Sequence, residues 1–315
     1  MSTALTVVNY HYVHTPVRGP FGRLVGRSYE DFHGQLDHIQ RNFTVVGPDR
    51  LLDALAGRRP LPAKACALTF DDGYRVHHSV AFQALRARGL SGFFFPPALS
   101  ALEPVVLDVH KIHFALASST PHADMAAELR DWIDAEAGVR ALEPADAYWK
   151  TYATPSRWDP PATMFIKRVL QKGLPEAARD AAVDWLFRRF AGHVEAELSR
   201  AFYMSPAELS EMIAAGMYVG CHGYAHRWLD TLSDADRREE LDRSLAFLSG
   251  IGAPTDRWLM CYPYGGFNAP LLDALRPLGC VGGFTTRVAT ADLATDDPLL
   301  LPRLDTNDLP LRAAA

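Results

Sequence analysis

Short apolar runs rich in β-branched residues alternate with amphipathic stretches along roughly the first hundred residues, stop, and resume past residue 203. This rhythm constrains the fold more than any single residue does. Strands separated by helices pair in parallel, through crossovers that cover the faces of a sheet. "ALTVVNYHYV" (4–13), "FTVV" (43–46), "ACALTFD" (65–71) and "SGFFFPP" (91–97) read as strands. Between them, Ser28 opens a helix with Phe32, Leu36, Ile39 and Phe43 along one side. "PDRLLDALAG" is a short helix stopped by Gly57, and "HSVAFQALRARG" is a helix ending at Gly89. In the second block Ser205 is an N-cap, Pro206 the first helical residue and Glu208 the acid of a capping box, with Gly216 at the helix end. "MYVGC" (217–221), "RWLMCY" (257–262), "CVGGFTT" (280–286) and "LLLPRLD" (299–305) are further strands. The fold class expected is α/β, a distorted or incomplete (β/α) barrel with parallel strands and a helical insertion. Chemistry in such folds collects at the carboxyl ends of strands. His11, Asp71, Asp72, His222 and Tyr264 all fall there.

Residues 102–202 break the alternation. "DVHKIHFALA", "MAAELRDWIDAEAG", "TMFIKRVLQKGL" and "EAARDAAVDWLFRRFAG" are helical and aromatic-rich. The expected organisation is therefore a discontinuous barrel, 1–101 and 203–312, around an inserted helical subdomain, 102–202. Trp132, Trp149, Trp158 and Trp185 are expected to pack that insert.

With 315 residues, 48% of them apolar, the chain can bury a large core. A net charge of −5 and the lack of a dense Lys/Arg run argue against nucleic acid or an anionic membrane as the main partner. No stretch reaches the roughly 20 apolar residues of a membrane span. The opening "MSTALTVVNYHYV" lacks a basic segment and a small-residue cleavage site, so it reads as a strand rather than a signal peptide. Cys66, Cys221, Cys261 and Cys280 form no CxxC pair. A cytoplasmic protein without a disulfide framework is the expectation.

The apolar run of "KACALTFDDGY" ends in adjacent carboxylates, Asp71 and Asp72. Two like charges side by side at a strand end repel, and a cation would offset that. "HGYAH" supplies His222 and His226, whose spacing of four puts both imidazoles on one face if the segment turns helical. With Asp72 they make a two-His, one-carboxylate set with open positions, suited to catalysis. Asp71 is left beside the cation as a general base. Alone, DDG is most often a turn of solvated acids and HxxxH most often a helix surface; their joint appearance after separate apolar strands favours the metal reading.

These motifs make the chain resemble the polysaccharide deacetylases of carbohydrate esterase family 4, the chitooligosaccharide-deacetylase-like domain. "LTFDDGY" matches the family's first motif, "HGYAH" its second, and "CYPYGGFN" its third, usually R-x-P-(Y/F)-G. The resemblance covers about residues 5–100 and 203–305. It implies Asp71 as catalytic base, Asp72, His222 and His226 as ligands of a divalent metal, commonly zinc, and the Tyr264 backbone N–H as an oxyanion donor. Two features depart from the family. Cys261 stands where the third motif has its arginine, and Arg303 in "LPRLDTND" is the candidate replacement. No histidine follows His226, so the usual C-terminal L-x-H motif is absent, and His11 in "NYHYV" is the candidate general acid.

The activity this implies is metal-dependent removal of an N-acyl group, most simply acetyl, from a sugar. A cytoplasmic location would make the substrate a nucleotide-linked or lipid-linked precursor of a surface glycan or metabolite. Rival readings are a hydrolase of a non-sugar amide such as a cyclic ureide, and an inactive glycan-binding module. Among lesser candidates, Asp108, His110 and His113 in "DVHKIH" read as a helix start with polar groups on its surface. His77 and His78 lie outside the first ligand shell, and Trp228 is a candidate for stacking on a sugar.

Overall fold

The structure, a computed structural model, describes residues 3–13 and 23–311. Residues 1–2, 14–22 and 312, which the expected barrel bounds include, lie outside it. The chain divides into two compact units. One contains Gly26–Val105 and the chain from Ser199 onward, together with the N-terminal strand; the other contains Val106–Leu198.

Among the described residues the first unit carries nine strands: β1 (Ala4–Tyr10), β2 (Thr44–Val45), β3 (Ala65–Asp71), β4 (Phe93–Phe95), β5 (Tyr218–Val219), β6 (Trp258–Cys261), β7 (Cys280–Phe284), β8 (Ala291–Asp292) and β9 (Leu304–Asp305). β5, β4, β3 and β1 form a parallel ladder, with Leu5 opposite Ala65 and Tyr10 opposite Phe70. β2 joins β3 in parallel and β9 joins β1 in parallel, while β8 runs antiparallel to β1. β6 and β7 form a separate parallel pair. Single parallel bridges, Cys221 to Met260 and Phe284 to Leu301, carry the order from the β5 end to β6 and from β7 toward β9. The result is a distorted (β/α) barrel, with the parallel strands expected from the sequence.

Successive side chains on a strand point to opposite faces. On β3 this sends Cys66, Leu68 and Phe70 into the layer beneath the helices, where they meet Tyr10, Phe32, Leu36, Ile39 and Phe94. The Phe70 ring stacks on Tyr10 at 5.1 Å and on Phe94 at 4.7 Å, an aromatic row across β1, β3 and β4. Ala65 and Ala67 face the other way, into the inner core with Leu5, Val7, Phe93, Phe95, Leu259, Cys261 and Phe284. Thr69 and Asp71 continue that inner row, so one polar residue and then a carboxylate cap an otherwise apolar barrel interior.

Several local expectations are corrected. "FTVV" forms only the two-residue β2, and "LLLPRLD" divides into a 3₁₀ turn, Pro298–Leu300, and the short β9. Pro302 interrupts it, lacking the N–H a ladder needs. The helix expected from residue 78 begins as a π-helical turn at His77.

The second unit is helical, from Asp108–Leu116 to the first turn of Glu195–Phe202, which ends in the first unit. Its core joins Ile112, Met125, Leu129, Ile133, Phe165, Ile166, Val183 and Leu186, with Trp132, Trp149 and Trp185 packed against them. Trp158 is instead 63% exposed, with the Arg157 guanidinium over its ring at 4.2 Å. The "DVHKIH" helix is corrected too, because His110 and Lys111 are buried rather than on its surface. Lys111 Nζ lies 2.7 Å from Asp184 and 3.2 Å from Glu195, which pairs the buried charge.

The helix Pro206–Ala214 has the capping box read from the sequence: Ser205 Oγ accepts the Glu208 N–H, and Glu208 reaches back to the Ser205 N–H. Ser205→Ala should lower stability by about 1 kcal/mol, measured as a shift of the denaturant midpoint at constant slope.

Candidate active site

Two carboxylates on consecutive residues must part company to be useful, and the backbone after β3 separates them. Asp72 has φ +72° and Gly73 φ +70°, two left-handed residues in succession. The Asp72 N–H donates to the Phe95 carbonyl at 3.0 Å, keeping the turn against β4. A Cβ on Gly73 would come within 2.7 Å of Pro96, so only glycine fits there. Asp71 therefore stays on the inner face of β3, while Asp72 is turned toward "HGYAH".

His222 and His226 converge on Asp72. Their Nε2 atoms are each 3.2 Å from Asp72 Oδ1, and all three residues are buried. The expected helical turn is not what joins the imidazoles. Residues 222–228 are an irregular loop, with Gly223 at φ +73° and His226 at φ +57°. The Glu240 carboxylate, sunk beneath this loop, accepts the N–H groups of Tyr224 and Ala225 at 2.9 and 3.1 Å. Asp72, His226 and Tyr264 are three of the five non-glycine residues with positive φ among those described. Strain of this kind gathers at functional sites.

The donor chemistry of the triad fits a divalent cation. His222 Nδ1 donates to the Cys261 carbonyl at 2.7 Å, because a carbonyl oxygen can only accept. In the neutral imidazole Nε2 then carries a lone pair, and it faces the lone pairs of Asp72 Oδ1. Acceptors so close and so buried require a positive species between them. The ligating atoms lie within 4.8 Å of one another, compatible with one ion. Without a cation a proton fills the role. Burial works against charging His222, but the surrounding acidic groups outweigh it and hold its pKa well above 6.5.

Asp71 is kept ionised by a different partner. Arg303, 3% exposed, sets Nη1 2.8 Å from Asp71 Oδ2 and 3.0 Å from Oδ1. The same guanidinium donates to Asn9, Thr69 and the Thr285 carbonyl, which fixes it in place. Burial alone would raise the Asp71 pKa; the Arg303 charge overrides it and the net direction is down. The position vacated by the motif's arginine, Cys261, is also buried against this pair, and burial pushes its thiol up. Asp71, His222 and Cys261 form a second close cluster, but a guanidinium already neutralises its carboxylate.

His11 Nε2 lies 3.9 Å from Asp71 Oδ2, with its side chain 43% exposed. His77, whose pKa burial lowers to about 4, is neutral and donates to the His11 carbonyl at 2.7 Å, steadying the end of β1. Tyr264 sits in the 3₁₀ turn Pro263–Gly265 directly after β6, at φ +58°. Its ring meets His226 edge-on at 4.6 Å and lies parallel to Trp228 at 4.6 Å. One face of the Trp228 indole is thus covered by Tyr264, leaving at most the other for a sugar. The structure brings Asp71, Asp72, His222, His226, His11, Tyr264 and Arg303 together. Tyr74, His77 and Glu240 were not singled out from sequence as parts of the site. Tyr74 lies inside the first motif and was open to notice; Glu240 sits in an acidic helix surface pattern that gives no signal.

The fold is similar to that of solved deacetylases. The deacetylase PplD of Streptococcus pyogenes, in complex with acetate, superposes with TM-score 0.59 at 15% identity, covering 97% of this chain and 93% of that one. IcaB from Ammonifex degensii gives 0.57 at 21% identity, covering 96% and 91%. The BpsB deacetylase domain from Bordetella bronchiseptica gives 0.56 at 15%, covering 96% of each. No curated protein matches. The family model described as polysaccharide deacetylase matches residues 143–282. That span holds His222, His226 and Tyr264 and lies outside the strands bearing Asp71 and Arg303. The chain is thus similar in fold to these deacetylases, and part of it, residues 143–282, matches the polysaccharide deacetylase model.

Removing the Arg303 charge should raise the Asp71 pKa, so Arg303→Leu should move the acid limb of the kcat/KM profile to higher pH. It should also cost about 3–5 kcal/mol of stability for a broken buried pair. An unmoved acid limb in folded protein would refute the pairing role. Asp72→Ala and His222→Ala should each abolish metal retention after dialysis, read by atomic absorption, whereas Asp71→Asn should retain the ion.

Proposed function

We propose that the protein hydrolyses the N-acetyl group of an amino sugar, with a divalent cation held by Asp72, His222 and His226 and with Asp71 as general base. The observation that carries this reading is the division of labour between adjacent carboxylates. One shares a single oxygen with two imidazoles; the other is ionised, paired to Arg303 and uncommitted to the triad. When bound, a divalent ion there supplies Lewis acidity, polarising the amide carbonyl and lowering the pKa of water toward roughly 7.

The chain's own residues do the rest. Asp71 takes a proton from the attacking water as its oxygen bonds to the acyl carbon. The Tyr264 N–H donates to the oxygen that gains charge. His11, half-exposed at the rim, gives a proton to the sugar nitrogen as the C–N bond breaks. Acetate and a free amine result. A positioned acid of this kind contributes roughly 10²–10⁴ in rate. Arg303 beside Asp71 weighs against the inactive glycan-binding alternative, since binding alone has no use for an ionised base. The complete triad weighs against a metal-free ureide hydrolase. These residues all come from the discontinuous barrel, 1–101 and 203–312, none from 102–202.

The substrate proposed is a sugar on a nucleotide or lipid carrier, with zinc as the ion. Acetate release over a panel of free, nucleotide-linked, lipid-linked and polymeric N-acetyl sugars, with and without chelator, tests both parts. Turnover that survives complete chelation would overturn the cation role. Turnover on no acetylated sugar would overturn the substrate class. Asp71→Asn should lose turnover, and His11→Ala should lower kcat more than it changes KM.

A further inference from the structure

The Asp72 carboxylate has two oxygens, and the structure commits them differently. Oδ1 faces both imidazoles at 3.2 Å. Oδ2 accepts a hydrogen bond from the Tyr74 hydroxyl at 2.5 Å. Tyr74 follows Asp72 by only two residues, and the left-handed Asp72–Gly73 turn brings its phenol back over the carboxylate.

The phenol has little freedom to leave. Tyr74 is 1% exposed. The Tyr12 ring stacks on it at 4.5 Å, the His77 ring meets it edge-on at 5.2 Å, and Phe202 packs at 5.0 Å. Its backbone is pinned too, through the bridge to Tyr203 and the Met204 N–H bond to the Gly73 carbonyl. An ionised carboxylate oxygen can only accept, so the Tyr74 hydroxyl is the donor in this bond.

We infer that Tyr74 is a positioning residue that restricts Asp72 to one ligating oxygen, and that Tyr12, His77 and Phe202 form the aromatic box that holds it there. A carboxylate free of this bond can rotate and offer both oxygens to a cation. That would occupy a coordination position that a three-ligand catalytic site keeps open for substrate. Hydrogen-bonding partners of metal ligands change affinity by 10–100-fold when removed. The inference rests on the proposed cation site, and it adds how this chain keeps that site open.

The experiment loads Co²⁺ as the probe into wild type, Tyr74→Phe and Asp72→Ala. Affinity is read by competition with a chromogenic chelator, coordination by the visible d–d absorption, and folding by the melting temperature of the metal-free proteins. Wild-type binding that Asp72→Ala abolishes confirms the site itself; absence of wild-type binding refutes the cation reading as a whole. Given that site, Tyr74→Phe should change Co²⁺ affinity by about 10–100-fold, with a d–d band altered by the second Asp72 oxygen and little change in metal-free melting. Affinity and spectrum equal to wild type would overturn the role of Tyr74. Should Tyr74→Phe fail to fold, a crystal structure of the Co²⁺-loaded wild type decides. One Asp72 oxygen on the ion with the other on Tyr74 supports the inference, and both oxygens on the ion refutes it.

Discussion

The ion pair between Asp71 and Arg303 is the constraint around which the site is arranged. A carboxylate at the end of a fully buried strand is costly to ionise. A guanidinium at 2.8 Å, itself held by Asn9, Thr69 and the Thr285 carbonyl, offsets that cost. Once Asp71 has this partner, its neighbour can be turned elsewhere. The left-handed Asp72–Gly73 step does so, and the two negative charges end in separate environments rather than opposing each other.

Much of this was legible in the sequence, for physical reasons. Alternating apolar runs and helix signals gave the parallel strands, since a buried strand needs continuous β-branched or aromatic residues and a helix start needs a cap. The cluster of Asp72, His222 and His226, the proposed ligands, was visible because metal chemistry demands such side chains at strand ends. Arg303 and His11 were candidates suggested by what the resemblance lacks, an arginine at Cys261 and a histidine after His226; the structure sets Arg303 against Asp71. The Ser205 capping box was legible because it is local.

What was not legible depends on long-range packing or on backbone geometry that composition does not encode. A spacing of four between His222 and His226 suggested a helical turn; the loop instead uses positive φ at Gly223 and His226, braced by Glu240 from the helix that follows it, Asp234–Gly250. Nothing in "RREELDR" marks one glutamate as buried. His110 looked like a surface histidine because a polar residue on a helix says nothing of what packs above it. Trp158 looked like core by composition, yet it is largely exposed.

Asp71 and Arg303 are separated by 232 residues, with the whole helical unit and most of the barrel between them. As the chain emerges during synthesis, β1, β3 and β4 are complete long before the guanidinium exists. Until then the carboxylate at the tip of β3 has no countercharge and is better off protonated or in water. The countercharge at the inner end of the barrel is therefore supplied late, by a residue that immediately precedes the final strand.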